Sequence, residues 1–165
     1  MITELVSCFD RTTAYIGELV ADLSDEEMIL QPPGVPNHAA WTIGHVIYSC
    51  QAMAGMLGAS PWLPETWESL FGYGSSPRDA AHSSYASREI LMSRFADACD
   101  RLRSTLLGTE ESGLRAPSPD PESAGTFATT ADALLQIVAA HTAYHAGQLA
   151  AWRRAIGREP VGVFI

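Results

Sequence analysis

Apolar residues recur every three or four positions in four stretches of the chain, which is the pattern of helices that bury one face. These stretches cover residues 2–22, 37–58, 87–107 and 129–154. Nowhere does the chain show a convincing alternation of apolar and polar residues, which is typical of a half-buried strand. The pattern predicts an all-α fold, a four-helix bundle with long crossover connections.

Capping signals mark where two of the elements begin. Ser24 followed by Glu27 has the spacing of a capping box, and it predicts a short helical turn through Leu30. Thr129 and Asp132 repeat that spacing at the start of the fourth helix. The two elements are therefore expected to begin at these residues.

Two long connections join the predicted helices. Residues 59–87 contain prolines and glycines but also Trp62, Trp67 and Phe71, too many aromatics for a flexible linker. We expect a structured crossover that covers one end of the bundle. Residues 109–128 combine prolines with Ser, Glu and Asp, which is loop composition. Connections of this length permit topologies other than a simple up-down-up-down bundle.

Length and composition indicate one packed domain over residues 1–165, with 47% hydrophobic and 18% charged residues. Cys8, Cys50 and Cys99 form no CxxC pair, so we expect free thiols rather than a disulfide framework or a thiolate zinc site.

Charge and hydropathy exclude two classes of partner. The formal charge of -9 repels phosphate backbones, so we expect no nucleic acid partner. No stretch reaches the roughly 18 apolar residues that a membrane helix needs, so no membrane partner is expected. The N-terminal MITELVSCFDR lacks the basic region of a signal peptide, which favours a cytoplasmic location.

Three histidines fall on inward-facing positions of the predicted helices. His141 and His145 are four residues apart, so their side chains share one helix face and both rings can reach one ion. His45 lies on the inward stripe of the second helix. A single inward histidine is usually a hydrogen-bonded core residue, and an H-x3-H pair alone fits either a ligand pair or a structural one. Three together are difficult to satisfy in a small core without a cation.

Three neutral imidazoles leave one coordination position open to water, as in catalytic zinc sites. One divalent transition metal is therefore expected, and Zn²⁺ or Ni²⁺ suits an all-imidazole set best. Residue type leaves Cu, Co and Fe open.

Two segments carry a resemblance to a known family. Residues 37–45, NHAAWTIGH, and residues 141–149, HTAYHAGQL, resemble motifs of the DinB-like (DinB/YfiT-like) family of small bacterial metalloproteins. The resemblance in helix order and length extends over nearly the whole chain. It implies a four-helix bundle with one metal-binding histidine in the second helix and a pair in the last, here His45, His141 and His145.

The resemblance also implies a function class. Characterised members of the family include thiol-cofactor-dependent transferases and isomerases, and others are commonly described as hydrolases. We therefore expect a metal-dependent enzyme, a hydrolase or a thiol-cofactor-dependent transferase, that acts on a small-molecule substrate. The resemblance further implies a homodimer.

No catalytic side chain can be assigned from the sequence, but some residues fall near the metal ligands. Gln148 and Tyr48 are candidates for contact with a ligand or a substrate. For Tyr48 and Tyr144, an ordinary tyrosine half in the core explains the position at least as well as a role at the site. His38 is expected to be exposed at a helix terminus, and His82 is expected to be a solvated loop residue.

Two other hypotheses remain open at this point. In the first, the ion is bound without turnover and braces the second helix against the fourth. In the second, the chain is a plain helical bundle whose histidines are hydrogen-bonded core residues and which binds a partner through an apolar face.

Overall fold

A computed structural model describes residues 1–78, 85–117 and 125–162. His82, which was expected in a loop, lies outside these residues. The helices are α1 (Ile2–Val20), α2 (Asp25–Met28), α3 (Ala39–Met56), α4 (Thr66–Phe71), α5 (Arg88–Leu107), α6 (Glu111–Leu114), α7 (Thr130–Leu134), a π-helical segment (Leu135–His141) and α8 (Thr142–Ala155). We call α7, the π-helical segment and α8 together the C-terminal helix.

Four long helices form the bundle within the described residues. α1 packs against α5 and the C-terminal helix, and α3 packs against the same two helices from the opposite side. The consecutive long helices α1 and α3 therefore lie on opposite corners, unlike in a simple up-down-up-down bundle. The described residues form no β-sheet, and the only strand-like pairing among them is an isolated bridge between Pro117 and Thr129. The predicted all-α fold is confirmed.

The core is built from the apolar positions that set the helical period. Phe9, Ile16 and Leu19 on α1 are almost completely buried, as are Ile43 and Ile47 on α3. Burying a side chain of this size contributes roughly 1.5–3 kcal/mol, so the shared core is the main stabilising term. Truncating one of them, such as Ile16→Ala, is expected to cost about 2–5 kcal/mol.

The C-terminal helix departs from the predicted uninterrupted α-helix. Its start is as expected, because Thr129 and Asp132 form the capping box. The segment Leu135–His141 is π-helical, and the Thr142 hydroxyl donates to the Ile137 carbonyl at 3.2 Å. Periodicity over a short window does not distinguish a π-helical turn from an α-helical one, so this segment could not be predicted from the pattern of apolar residues.

The described part of the crossover after α3 is structured. Trp67 and Phe71 on α4 are buried, as the aromatic content predicted. The segment after α5 was predicted as loop, but it contains the helical turn α6 with Leu114 buried. One leucine in a polar stretch was too weak a signal to predict that turn.

Helix α3 has a histidine as its N-cap. His38 Nδ1 accepts a hydrogen bond from the Trp41 amide at 3.1 Å. The prediction that His38 is exposed was wrong, since it is 1% exposed and its ring lies edge-on to Tyr85. Docking of the crossover over the start of α3 buries it.

The cysteines and the hydropathy of the helices agree with the sequence-based expectations. The three cysteines are free thiols, with Cys50 and Cys99 buried and Cys8 half-buried. Among the described residues, every helix is too short or too polar to cross a lipid bilayer.

Candidate metal centre

The structure brings the three predicted histidines together between α3 and the C-terminal helix. His141 Nε2 lies 3.1 Å from His45 Nε2 and 3.0 Å from His145 Nε2. The three ligand atoms all lie within 4.8 Å of one another. An ion bound tetrahedrally at about 2.0–2.1 Å separates its nitrogen ligands by about 3.3 Å. The two distances from His141 Nε2, 3.1 Å and 3.0 Å, are close to this value.

Two of the rings have their other nitrogen occupied by the protein. His45 Nδ1 lies 2.6 Å from the Phe71 carbonyl oxygen, and His145 Nδ1 lies 2.8 Å from Gln148 Oε1. Both oxygens are acceptors, so each Nδ1 carries the proton and donates it. The lone pair of each neutral ring is then on Nε2 and faces the centre, as in histidines that bind metals.

Hydrogen bonds among the histidines cannot satisfy this arrangement. The Nε2 lone pairs of His45 and His145 both face His141 Nε2, which carries one proton at most. His141 Nδ1 is buried and has no hydrogen-bond partner in the part of the chain that the structure describes. A cation would accept all three lone pairs, so the cluster fits a metal-binding site.

Burial also keeps the rings neutral. His45 is 7% exposed and His145 is 4% exposed. Burial is the main cause that lowers the pKa of His141 to about 4 and that of His145 to about 3, and the neighbouring rings lower both further. Burial also lowers the pKa of His45. Neutral imidazole is the form that binds metals, so the centre is ready for an ion at neutral pH.

Comparison with known proteins now defines the family. The family model of the DinB superfamily matches residues 9–149. The chain belongs to the DinB superfamily. The resemblance stated from the two histidine segments is therefore confirmed.

A solved structure supports the fold of this DinB-superfamily chain. It is a protein from Enterococcus faecalis described as a conserved protein of its locus, with a TM-score of 0.76 and 19% sequence identity. The match covers 96% of this chain and 98% of that chain. At this identity the likeness concerns the fold alone. No protein with a curated description matches the sequence.

Aromatic side chains lie next to the histidine cluster of this DinB-superfamily chain. The Trp41 ring stacks on His45 with centroids 4.8 Å apart and planes 8° from parallel. Tyr144 meets His145 edge-on at 5.3 Å, but it is 62% exposed, so the reading of Tyr144 as half in the core was wrong. Tyr48 is half-buried against the core, and its pKa is raised by burial and then by Glu68.

Two contributors were not predicted from the sequence. The Phe71 carbonyl is a main-chain group, which a motif search for polar side chains does not detect. Gly44 allows the Phe71 ring to lie against α3, because a Cβ at position 44 would collide with that ring. A glycine inside a helical pattern, directly before a histidine, was the available signal of a close approach.

Proposed function

We propose that this chain binds one divalent transition metal ion, Zn²⁺ or Ni²⁺, through Nε2 of His45, His141 and His145, and that it is a metal-dependent enzyme. The reaction class is hydrolysis or thiol-cofactor-dependent transfer. The observation that carries the proposal is the convergence of three Nε2 atoms, two of them on rings whose Nδ1 protons are donated elsewhere.

An ion held by three imidazoles supplies Lewis-acid polarisation of a carbonyl and lowers the pKa of a water or thiol at its open position. The chain's own residues prepare the site for that chemistry. Phe71 and Gln148 hold the rings of His45 and His145 in one tautomer. Trp41 excludes water from one face of His45.

Access to the centre favours a catalytic site over a bracing one. His45 and His145 are buried, whereas His141 is only half-buried. The exposed Tyr144 lies three residues further along the same helix and contacts His145. A small molecule would approach the open position from the side of His141 and Tyr144, whereas a purely structural ion is usually closed off by four protein ligands.

Metal analysis tests the first half of the proposal. Protein purified without chelator and then reloaded with Zn²⁺ or Ni²⁺ is expected to retain close to one equivalent by mass spectrometry of metals. Less than about 0.2 equivalents after both treatments would overturn metal binding and favour the plain helical bundle.

Spectroscopy and turnover test the second half. In Co²⁺-substituted protein, azide or a low-molecular-weight thiol is expected to change the visible spectrum by occupying the open position. Activated esters and a thiol paired with an electrophile are the substrates to assay. A metal-loaded protein whose spectrum neither azide nor thiol changes would identify a closed site that braces α3 against the C-terminal helix.

Assembly is a separate part of the proposal. Homodimerisation is proposed from family membership, and light scattering on a sizing column measures it. A monomer at high micromolar concentration would contradict the dimer and leave the metal centre as proposed.

A further inference from the structure

The crossover helix α4 supplies the main-chain group that orients His45. The Phe71 carbonyl at the end of α4 accepts a hydrogen bond from His45 Nδ1, although the two residues are 26 positions apart in the sequence. The Phe71 side chain is buried and packs against Trp67, with ring centroids 4.7 Å apart. The hydrogen bond therefore exists only while α4 is docked on α3.

Gly44 makes that docking possible. A Cβ at this position would overlap the Phe71 ring, so the ring lies directly against the backbone of α3. Glycine in a helix interior is less favourable than alanine, and here the close approach gives the reason for it. The residue after it is the metal ligand itself, so the close approach and the ligand share one helical turn.

A second connection joins the crossover to the stacking partner of His45. Trp41 Nε1 donates to Ser75 Oγ at 3.3 Å, and Ser75 Oγ donates to the Leu70 carbonyl at 3.2 Å. The Trp41 ring stacks on His45. The crossover thus contacts His45 directly at its edge and indirectly, through Trp41, at its face.

We propose that the crossover segment 66–75 is a positioning element of the metal centre, so that its docking on α3 and the binding of a divalent ion favour each other. This inference rests on the metal-binding part of the proposed function. By linkage, any factor by which docking raises the affinity for the ion is also the factor by which the ion stabilises docking. The proposal concerns how His45 is held and assigns no step of a reaction.

The first test compares two glycines of the same helix. Gly44→Ala is expected to weaken Zn²⁺ binding about 10- to 100-fold in a competition titration, the usual effect of losing the outer partner of a histidine ligand. Gly55→Ala is the matched control, because Gly55 is also on α3 and a Cβ there meets nothing within 4 Å. Its Zn²⁺ affinity is expected to equal that of the wild type.

A compensating change separates positioning from general damage. The double variant Gly44→Ala, Phe71→Leu has a smaller side chain opposite the new methyl group and is expected to bind Zn²⁺ more tightly than Gly44→Ala alone. If Gly44→Ala does not fold, Phe71→Ala takes its place, since it leaves α3 unaltered and removes the ring that anchors α4. It is expected to lose about tenfold in Zn²⁺ affinity.

Hydrogen exchange in the wild type measures the reciprocal effect. Zn²⁺ is expected to slow exchange of the Gly72 amide, which donates to the Glu68 carbonyl at 2.8 Å, and not to slow exchange in α6. Unchanged Zn²⁺ affinity in Gly44→Ala, with unchanged exchange at Gly72, would overturn this inference and leave the proposed function standing. Failure of the wild type to bind Zn²⁺ would instead overturn metal binding itself, and this inference with it.

Discussion

Gln148 Oε1 accepts a hydrogen bond from His145 Nδ1 within one turn of α8, with the two atoms 2.8 Å apart. His45 obtains its partner from Phe71 in another helix. One of these histidines is therefore oriented by local helix geometry and the other by tertiary packing. His141, at the end of the π-helical segment, has no partner for Nδ1 among the described residues. The three proposed ligands thus differ in how firmly the protein holds them.

Replacing Gln148 is expected to weaken metal binding without unfolding the protein. In Gln148→Ala, His145 loses the acceptor that fixes its tautomer, and Zn²⁺ affinity should fall about tenfold or more. Gln136→Ala is the matched control, because Gln136 is an exposed residue of the same helix. Competition titration with a chromophoric chelator measures both. Equal affinities for the two variants would contradict a role for Gln148 in holding His145.

Replacing His141 is expected to abolish the stabilisation that metal confers. An ion at 100 times its dissociation constant stabilises the folded state by about 2.7 kcal/mol, which should raise the melting temperature of the wild type. His141→Ala leaves two ligands, so added Zn²⁺ should no longer raise its melting temperature. Calorimetry with and without Zn²⁺ measures the effect.

The metal-free forms provide the control for this variant. Without Zn²⁺, His141→Ala is expected to melt below the wild type, because it loses the contacts of His141 Nε2 with His45 and His145. The effect of Zn²⁺ on each protein is therefore measured from its own metal-free melting temperature. A large Zn²⁺-dependent rise in the variant would show that His141 is not a ligand.

Acid is expected to destabilise the metal-free protein through His38. Burial lowers the pKa of His38 from 6.5 to about 4, so between these values the unfolded chain binds a proton that the folded chain does not. This contribution to stability is complete above pH 6.5 and falls as pH drops toward about 4. His38→Asn keeps a good N-cap and removes the titration. Urea unfolding across this range, with chelator present, should show a weaker pH dependence in the variant.

Arg153 joins α8 to the end of α1, and its loss is expected to be costly. The side chain is 3% exposed and donates to both carboxylate oxygens of Asp22 and to the Leu19 and Glu159 carbonyls. Arg153→Ala leaves these acceptors without their donor and should lower the free energy of unfolding by about 3 kcal/mol. The exposed neighbour Arg154 provides the control. Arg154→Ala is expected to change the free energy of unfolding by less than about 0.5 kcal/mol. Similar losses in both variants would contradict the assignment.

The Asp22 partner of this pair adds a second acid transition. Hydrogen bonds from Arg153 lower the pKa of Asp22 from 3.8 to about 2. The stabilisation is therefore complete above pH 3.8 and is lost as pH falls toward about 2. Asp22→Asn should reduce the pH dependence of unfolding in this range, and a slope equal to that of the wild type would count against the pair.

Much of the fold followed from periodicity because this core is formed by regular amphipathic helices. The four predicted stretches agree with α1, α3, α5 and the C-terminal helix to within a few residues at most ends. The grouping of His45 with His141 and His145 followed from inward positions on two helices. The identity of those residues as ligands stays a prediction.

What could not be predicted depended on contacts between distant segments. His38 was expected at the surface because its neighbours in sequence form a helix terminus, and only the packed crossover buries it. The Phe71 carbonyl carries no side-chain signature, so its contact with His45 requires the tertiary structure. Tyr144 lies beside the buried His145, yet its own position on the helix faces outward.

The π-helical segment sets a limit on changes in chain length near the centre. Removing one residue from Leu135–His141 would restore α-helical hydrogen bonding there and keep Leu134 and His145 near their present relative rotation, because a π-helical turn accommodates one residue more than an α-helical turn. Removing a second residue would rotate Leu134 by about 100° relative to His145, so that either Leu134 would leave the core or the histidines would separate. One deletion in this segment should therefore be tolerated, whereas two should not.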